Sequence, residues 1–347
     1  MIRVLLAADG FLTPRVMSSA LGVTMPDVET TVVVSTWPDT TFHDFGGVHE
    51  ALGDEDSLIE ALQGCQACFT HTWPVTERVL AATPGLRLVT VCRGGPVNVD
   101  RQAATEHGVV VTFTPGRNAT ATAEHTIGMI LAAARQIAQR DEEIRRGLWR
   151  SDFYNYGQVG PEISGSTAGV IGVGAVGSRV AHILGAMGAE VLAFDPWADQ
   201  GKLDPAVHLV DSLEELMSRA NIVTIHARVT PENLHLVGAH EISLMPQGAI
   251  LVNCARGQLL DYDAVAEGLE RGQLFAAAFD CFSEEPLPPD DRLRSIPAVT
   301  MTPHLGGASK QASELAARIG AEDIRRFFAG ERPLYCENPE VFDKEGN

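Results

Sequence analysis

Residues 169–195, GVIGVGAVGSRVAHILGAMGAEVLAFD, decide the fold class of this chain. An apolar run meets the pattern Gly172-x-Gly174-x-x-Gly177, which opens an amphipathic helix. In order, these glycines suit a tight turn, close approach of backbone amides to a pyrophosphate, and close packing of the helix on the strand. The helix N-terminus then presents amides to the phosphates. The stretch therefore predicts a dinucleotide-binding turn.

Two features on either side of this helix indicate which dinucleotide binds. The amides of Ala175 and Val176, just before the helix, are candidates for phosphate contacts. Asp195 ends the next strand, at about the 20-residue offset expected of a ribose-binding acid. Its carboxylate accepts the ribose hydroxyls and repels a 2′-phosphate, so we expect NAD. NADP stays open because Arg228, in IHARVTPEN, is either a phosphate ligand or a solvated arginine on a loop rim.

Apolar runs alternate with helical periodicity along the whole chain, which predicts parallel α/β sheets. In the first third the predicted strands are RVLLAA, TTVVVST, ACFTH, LRLVTVC and VVVTFTP. From Ser166 onward, six more are predicted: TAGVIGVG, EVLAFDP, NIVTIHA, GAILVNC, FAAAFDC and AVTMTPH. We therefore expect two doubly wound domains, a flavodoxin-like substrate domain and a Rossmann NAD-binding domain, with the cleft between them.

The chain is expected to cross between these domains twice. The substrate domain is predicted at 1–117 and 306–347, and the NAD-binding domain at 118–305. One long helix is predicted over 120–146, because Ile127, Ile130, Leu131, Ala134 and Ile137 share a face. The polar tail after GERPLYCENPE is expected to be loose.

The amino-acid composition limits the kinds of binding partner and cellular compartment that are expected. The 347 residues carry a formal net charge of −19, which disfavours nucleic acid and anionic membranes. No apolar run approaches the roughly 18 residues of a membrane span, and the N-terminus resembles a first strand more than a signal peptide, so we expect a cytoplasmic protein. The six cysteines suit buried positions in a reducing compartment. The Cys65-x-x-Cys68 pair is weak evidence for zinc or redox chemistry, and no metal is expected.

Three later strands end in residues that suit acid–base chemistry on a keto acid. Arg256 follows GAILVNC, Asp280 and Glu285 belong to AAFDCFSEEPL, and His304 follows AVTMTP. Ligands of open α/β sheets bind at the carboxyl ends of strands. A histidinium can protonate a forming alkoxide, a glutamate raises the pKa of that histidine, and an arginine fork holds a carboxylate.

With these motifs the chain resembles the D-isomer-specific 2-hydroxyacid dehydrogenases, from about residue 60 to 330. The segments that carry the resemblance are the glycine turn, NCARGQLLD, FDCFSEEPL and PHLGGAS. The resemblance implies an NAD-dependent oxidoreductase that acts on the CH–OH group of a small D-2-hydroxy acid, or on its keto acid. It also implies a homodimer formed through the cofactor domain and its long helix.

The resemblance assigns roles residue by residue. Arg256 would bind the substrate carboxylate and carbonyl, His304 would be the general acid and base, and Glu285, rather than Glu284, would pair with it. Asp280 would hold the nicotinamide carboxamide with help from the backbone at Cys254. The remaining cofactor contacts are implied at Thr230, His304 and Gly306.

The substrate loop CRGGPVNVD, residues 92–100, departs from the family pattern. Arg93, Gly94 and Gly95 are present and are expected to bind substrate, but Pro96 offers no N–H and stiffens the loop. In PGRNATATAEHT, residues 115–126, Arg117 and Asn118 either contact substrate or cap the following helix. Trp149 is expected to be a packing residue.

Two other hypotheses about the function of the protein remain open. Members of the family also serve as dinucleotide-sensing corepressors, which are protein-binding modules, and the Arg/Glu/His set does not exclude that function. A Rossmann methyltransferase would need no such set and explains less. A phosphoglycerate dehydrogenase of the extended type is not expected, because little chain follows residue 330.

Overall fold

The computed structural model describes residues 2–346 and contains two compact units. Unit 1 comprises the chain up to Asn118 together with the chain from Ser309 onward, and unit 2 comprises Ala119–Ala308. Each unit contains one parallel sheet flanked by helices, which confirms the predicted pair of doubly wound folds. In the described part of the chain, no helix combines the length and apolarity that crossing a membrane requires.

Unit 1 is built on a five-stranded parallel sheet. Its strands and helices are, in chain order, β1 (Arg3–Ala8), α1 (Pro14–Thr24), β2 (Glu29–Val34), β3 (His43–Phe45), β4 (Val48–Ala51), α2 (Glu55–Leu62), β5 (Ala67–Thr70), α3 (Glu77–Ala82), β6 (Leu88–Val91), α4 (Arg101–Glu106) and β7 (Val110–Phe113). The order β2-β1-β5-β6-β7 is flavodoxin-like once the separate antiparallel β3–β4 hairpin is set aside. Strand β1 is apolar along almost its whole length because both faces of the sheet are covered by helices.

Unit 2 contains a seven-stranded parallel sheet. Its elements are α5 (Ala119–Arg135), α6 (Ile137–Arg145), β8 (Thr167–Ile171), α7 (Gly177–Ala186), β9 (Glu190–Phe194), β10 (Val207–Leu209), α8 (Leu213–Arg219), β11 (Ile222–Ile225), α9 (Ala239–Leu244), β12 (Ala249–Asn253), α10 (Tyr262–Glu270), β13 (Leu274–Phe279) and β14 (Val299–Met301). The order β10-β9-β8-β11-β12-β13-β14 is the Rossmann order with one strand added beside β13. The six predicted strands are present. The sequence missed β10, a three-residue edge strand in which only Val207 is buried.

The single helix predicted over 120–146 is wrong. Gln136 adopts a left-handed conformation with φ 50° and ψ 40° and separates α5 from α6. Ile130 and Ala134 are buried as expected, but Ile137 is 54% exposed and α6 buries no residue. The apolar face ends at the break because the following sequence, AQRDEEIR, is polar.

The chain after residue 308 belongs to unit 1. Helix α11 (Lys310–Phe328) packs against α1, and Ser309 caps it by accepting a hydrogen bond from the Ala312 amide at 3.0 Å. The expected loose tail is wrong for its first residues. Val341 is only 4% exposed and lies in a 3-10 helix at Pro339–Gly346.

Candidate active site

The glycine turn between β8 and α7 fits a dinucleotide phosphate. Gly172 has φ +86°, and a Cβ there would lie 2.8 Å from the Ala227 amide nitrogen. A Cβ on Gly177 would lie 1.9 Å from the Gly172 carbonyl oxygen. A Cβ on Gly174 would meet no described atom within 4 Å. Two glycines are therefore required by packing, and the third leaves open space at the N-terminus of α7, where Ala175 and Val176 precede the helix.

Asp195 follows β9 and is tied to the same turn. Its Oδ2 accepts a hydrogen bond from the Val173 amide at 3.0 Å, and its Oδ1 accepts one from the Trp197 amide at 3.0 Å. Each carboxylate oxygen has a further lone pair, which suits the ribose hydroxyls. The turn and the acid thus form one hydrogen-bonded cofactor cradle.

The loop after β11 carries Thr230, a predicted cofactor contact, and Arg228, whose role the sequence left open. The Thr230 amide donates to Asn233 Oδ1 at 2.7 Å, and Asn233 Nδ2 donates to the Arg228 carbonyl oxygen at 2.7 Å. These two bonds close the loop on itself. The Arg228 side chain is exposed and forms no ion pair within the described residues.

The carboxyl ends of β12, β13 and β14 bring the catalytic candidates to one edge of the sheet. These strands are neighbours, and Arg256, Asp280 and His304 follow them in that order. His304 Nδ1 lies 2.7 Å from Glu285 Oε2, and Glu285 Oε1 accepts a hydrogen bond from the Phe282 amide at 2.8 Å. The structure therefore pairs the histidine with the glutamate that the sequence selected.

This pairing sets the charge of both groups. The hydrogen bond that His304 donates to Glu285 raises the pKa of His304, against the opposing effects of burial and of the Arg256 charge. Burial alone would raise the pKa of Glu285, but the hydrogen bond and charge of His304 and the Phe282 amide outweigh it and lower that pKa. The glutamate stays ionised, and the ring keeps its proton to higher pH than an ordinary histidine.

Asp280 fixes the backbone around this histidine. His304 has φ 55°, a left-handed conformation that is uncommon for a non-glycine residue. The Leu305 amide donates to Asp280 Oδ1 at 2.8 Å, and the Gly306 amide donates to Asp280 Oδ2 at 2.7 Å. Asp280 is only 2% exposed. Its carboxylate thus organises the turn that carries His304, and Oδ2 retains accepting capacity.

Sequence reasoning missed residues that support this turn. Thr302 Oγ1 donates to Asp280 Oδ1 at 2.6 Å, and His125 Nε2 lies 3.1 Å from Thr302 Oγ1 and 3.3 Å from Asp280 Oδ1. Thr302 stands between β14 and His304, so its position was a usable signal. His125 lies on α5, far away in sequence, and nothing in its neighbourhood indicated this contact.

The Arg256 turn is braced from two sides. Asn253 Nδ2 donates to the Arg256 carbonyl oxygen at 2.9 Å. A Cβ on Gly257 would lie 2.0 Å from the Phe282 carbonyl carbon, so this turn packs directly on the segment that leads to Glu285. The arginine side chain itself is exposed. Burial raises the pKa of Cys254 to about 12, which leaves its backbone as the part suited to a cofactor contact.

The predicted substrate loop lies in unit 1, after β6. The Arg93 guanidinium donates to the Glu50 carbonyl oxygen at 2.9 Å and also pairs with the Glu50 carboxylate. Its side chain is thus already engaged within unit 1. A Cβ on Gly94 or Gly95 would meet no described atom within 4 Å, which leaves the backbone of both residues open to a ligand.

The cysteines show no sign of a metal or redox centre. All six are free thiols, and both Cys65 and Cys68 are buried. Burial raises the pKa of Cys68 well above its usual range. Across residues 2–346, no cluster of three or more His, Cys, Asp or Glu side chains is arranged to hold a metal ion.

A dinucleotide cradle and a histidine–glutamate pair in one Rossmann unit define the class of a nicotinamide-dependent oxidoreductase. The model of the NAD-binding domain of D-isomer-specific 2-hydroxyacid dehydrogenases matches residues 127–306. The chain belongs to this family, and its cofactor is NAD.

Individual relatives differ in length and name. The chain is 36% identical to a D-3-phosphoglycerate dehydrogenase of Methanocaldococcus jannaschii over 82% of this chain and 54% of that protein. It is 32% identical to a glyoxylate reductase of Korarchaeum cryptofilum over 84% of this chain and 88% of that protein. It thus spans only about half of the longer relative. The structure of D-lactate dehydrogenase from Escherichia coli matches with a TM-score of 0.74 and 26% identity, over 96% of this chain and 99% of that one.

Proposed function

We propose that this protein interconverts a small D-2-hydroxy acid and its 2-keto acid with NAD(H), acting on the CH–OH group of the donor. The observation that carries the proposal is the 2.7 Å contact between His304 Nδ1 and Glu285 Oε2, at the same sheet edge as Arg256. When NAD is bound, its nicotinamide would accept the hydride from the alcohol carbon. The chain supplies the proton chemistry and the orientation of the substrate.

His304 is the group that moves the proton. With Nδ1 facing Glu285, its Nε2 is the nitrogen left to protonate the alkoxide oxygen formed on reduction. In the oxidation direction the neutral ring takes the hydroxyl proton. Glu285 stabilises the charged ring and fixes which nitrogen faces the substrate. Arg256 is assigned to the substrate carboxylate and to polarising the carbonyl oxygen.

The remaining predicted residues would hold the cofactor and the substrate carboxylate. Asp280 Oδ2 and the Cys254 backbone are assigned to the nicotinamide carboxamide, and the Thr230 loop and Gly306 to further cofactor contacts. The backbone of Gly94 and Gly95 is assigned to the substrate carboxylate, because both positions are open. The engaged Arg93 side chain is better suited to shaping that loop.

The test follows NADH absorbance with a panel of 2-keto acids, including glyoxylate, hydroxypyruvate, pyruvate and branched and aromatic acids. We expect turnover with at least one acid, a preference for NADH over NADPH, and loss of at least about a hundredfold in kcat for His304→Ala. If no acid is reduced although NADH binds, the chain is a dinucleotide-binding protein without this activity.

We also propose a homodimer formed through unit 2. The segment 137–159 exposes a set of large apolar side chains: Ile137, Ile144, Leu148, Trp149, Tyr154, Tyr156 and Val159. Trp149 is 87% exposed, so its expected packing role within the chain is wrong. A segment that exposes so many large apolar side chains is typical of a protein interface. Light scattering should give twice the monomer mass, and Trp149→Asp with Tyr154→Asp should lower it; a monomeric wild type contradicts the dimer.

The proposed compartment is the cytoplasm. Six unpaired cysteines, five of them buried, suit a reducing environment. Fractionation of the native source should recover the protein with cytoplasmic markers, and recovery outside them would refute this.

A further inference from the structure

Unit 1 contains a half-buried arginine whose hydrogen-bonding capacity is not met. Arg117 lies in the turn after β7, and its Nε and Nη1 atoms are buried without a hydrogen-bond partner among the described residues. Its guanidinium carbon lies 5.7 Å from the centroid of the Phe11 ring. Burying guanidinium donors without partners is costly, so such a group suits an anionic ligand.

Asp9, an acid whose charge acts on Arg117, cannot supply those missing bonds. Asp9 Oδ1 accepts hydrogen bonds from the Phe11 and Leu12 amides at 2.8 and 2.7 Å. Its Oδ2 lies 2.6 Å from His71 Nδ1 and accepts a weaker bond from Thr72 Oγ1 at 3.4 Å. The Asp9 carboxylate is therefore committed to its own neighbours.

Four titratable side chains share the edge of the sheet at which Arg117 lies. Asp9, His71, Arg93 and Arg117 follow β1, β5, β6 and β7, which are neighbours in the sheet, so they share its ligand-binding edge. Burial, helped by the charges of Arg117 and Arg93, lowers the pKa of His71 by more than the Asp9 carboxylate raises it, so this ring adds no positive charge at neutral pH. Among the described residues, Arg117 is therefore the cation of this group whose buried nitrogens have no hydrogen-bond partner.

The turn that carries Arg117 is attached to the proposed substrate loop. The Thr114 amide donates to the Arg93 carbonyl oxygen at 2.8 Å, and Thr114 Oγ1 donates to the same oxygen at 3.2 Å. That loop is already assigned to the carboxylate beside the reacting carbon. The arginine next to it is available for a different part of the same molecule.

We propose that Arg117 binds a second anionic group of the substrate, a carboxylate or a phosphate. This inference rests on the proposed function and narrows its substrate to 2-hydroxy and 2-keto acids with an acidic group at the far end. The planar guanidinium can present Nε and one Nη to two oxygens of such a group.

Matched substrates test the inference. Hydroxypyruvate and its 3-phosphate differ only in the phosphate, and 2-oxopentanoate and 2-oxoglutarate differ at the terminal group. In at least one pair, we expect wild type to show a higher kcat/KM for the acid with the second anionic group than for the acid without it. The pair that shows this preference identifies the second group as a phosphate or a carboxylate. In Arg117→Gln the ratio within that pair should fall about tenfold to a hundredfold. Arg15→Gln, at an exposed arginine of α1, is the charge-matched control and should keep the ratio.

The possible outcomes separate this inference from the proposed function. An equal loss for both acids of a pair would place Arg117 on the shared carboxylate and overturn the second site; an unchanged ratio would overturn it too. If the glutamine variant does not fold, Arg117→Lys, which lacks the planar fork, must still lower the ratio at least threefold. If no acid is reduced at all, thermal unfolding with inorganic phosphate or malonate decides. Stabilisation of wild type that is lost in Arg117→Gln supports the site, and equal responses refute it.

Discussion

Replacing Glu285 with glutamine should disable the acid–base step without removing the histidine. Glu285 accepts a hydrogen bond from the Phe282 amide on one oxygen and contacts His304 Nδ1 at 2.7 Å on the other. If the glutamine oxygen keeps the Phe282 bond, its NH₂ faces Nδ1 and opposes the doubly protonated ring. If the amide flips, NH₂ opposes the Phe282 N–H instead. In both orientations the charged ring loses its counter-ion.

The size of the expected loss in kcat/KM follows from the role of the His304 proton in the reaction. General acid–base catalysis contributes about 10²–10⁴-fold, so kcat/KM for keto-acid reduction at pH 7 should fall by about a hundredfold or more. Because Glu285 raises the pKa of His304, the protonated ring that reduction needs persists to higher pH in wild type. Reduction should therefore decline as pH rises through that pKa, and the decline should begin at lower pH in Glu285→Gln. Oxidation needs the neutral ring, so its kcat/KM should instead increase as pH rises through the same pKa.

The assay is the pH dependence of kcat/KM for both directions. Glu284→Gln is the matched control, because Glu284 is an adjacent exposed acid with the same chemistry. Its rates should stay within about twofold of wild type. Superimposable pH profiles for wild type and Glu285→Gln would refute the assignment, and so would a large loss in Glu284→Gln.

Three further predictions concern the cofactor site and packing. Asp195→Ala should raise KM for NADH about tenfold or more and shift the kcat/KM ratio toward NADPH, because a charged ribose acceptor is lost; an unchanged ratio in steady-state assays contradicts its role. Gly177→Ala should lower the free energy of unfolding, measured in urea, by about 1–3 kcal/mol, since its Cβ would meet a backbone oxygen at 1.9 Å. Gly174→Ala should fold normally, because its Cβ would meet no described atom within 4 Å, and should weaken NADH binding in a fluorescence titration. Gly320→Ala on α11 should destabilise similarly, because its Cβ would lie 2.5 Å from a buried phenylalanine ring, but Gly22→Ala on α1, with open space around it, should stabilise by about 0.5–1 kcal/mol.

Where a strand is buried on both faces, its sequence was sufficient to predict it. RVLLAA was predicted as a strand and occupies β1, and the glycine turn lies between β8 and α7 as expected. In a parallel sheet covered by helices, the apolar run is a direct consequence of burial. The segments VHL of β10 and HDF and VHEA of the hairpin contain no such run. The three-residue β10 and the β3–β4 hairpin were therefore not predicted.

The sequence pattern also failed to predict the break between two helices and a long-range ion pair. Residue periodicity continues through Gln136, so nothing marked the left-handed residue that ends α5. Arg93 is an arginine in a glycine-rich loop, which suggests a ligand contact, yet its partner Glu50 is 43 positions away. Long-range ion pairs depend on the three-dimensional path of the chain, and motif spacing contains no information about that path.

The catalytic candidates show how far a motif can be taken. The sequence predicted that Arg256, Glu285 and His304 come together because parallel strands end at a common edge. It could not show that Asp280 holds the backbone amides after His304, because that role depends on a left-handed turn. It also left Arg117 undecided between substrate contact and a helix cap. A guanidinium has only donors, so it cannot cap the free N–H groups at the start of α5, and two of its buried nitrogens have no partner among the described residues, which favours the ligand.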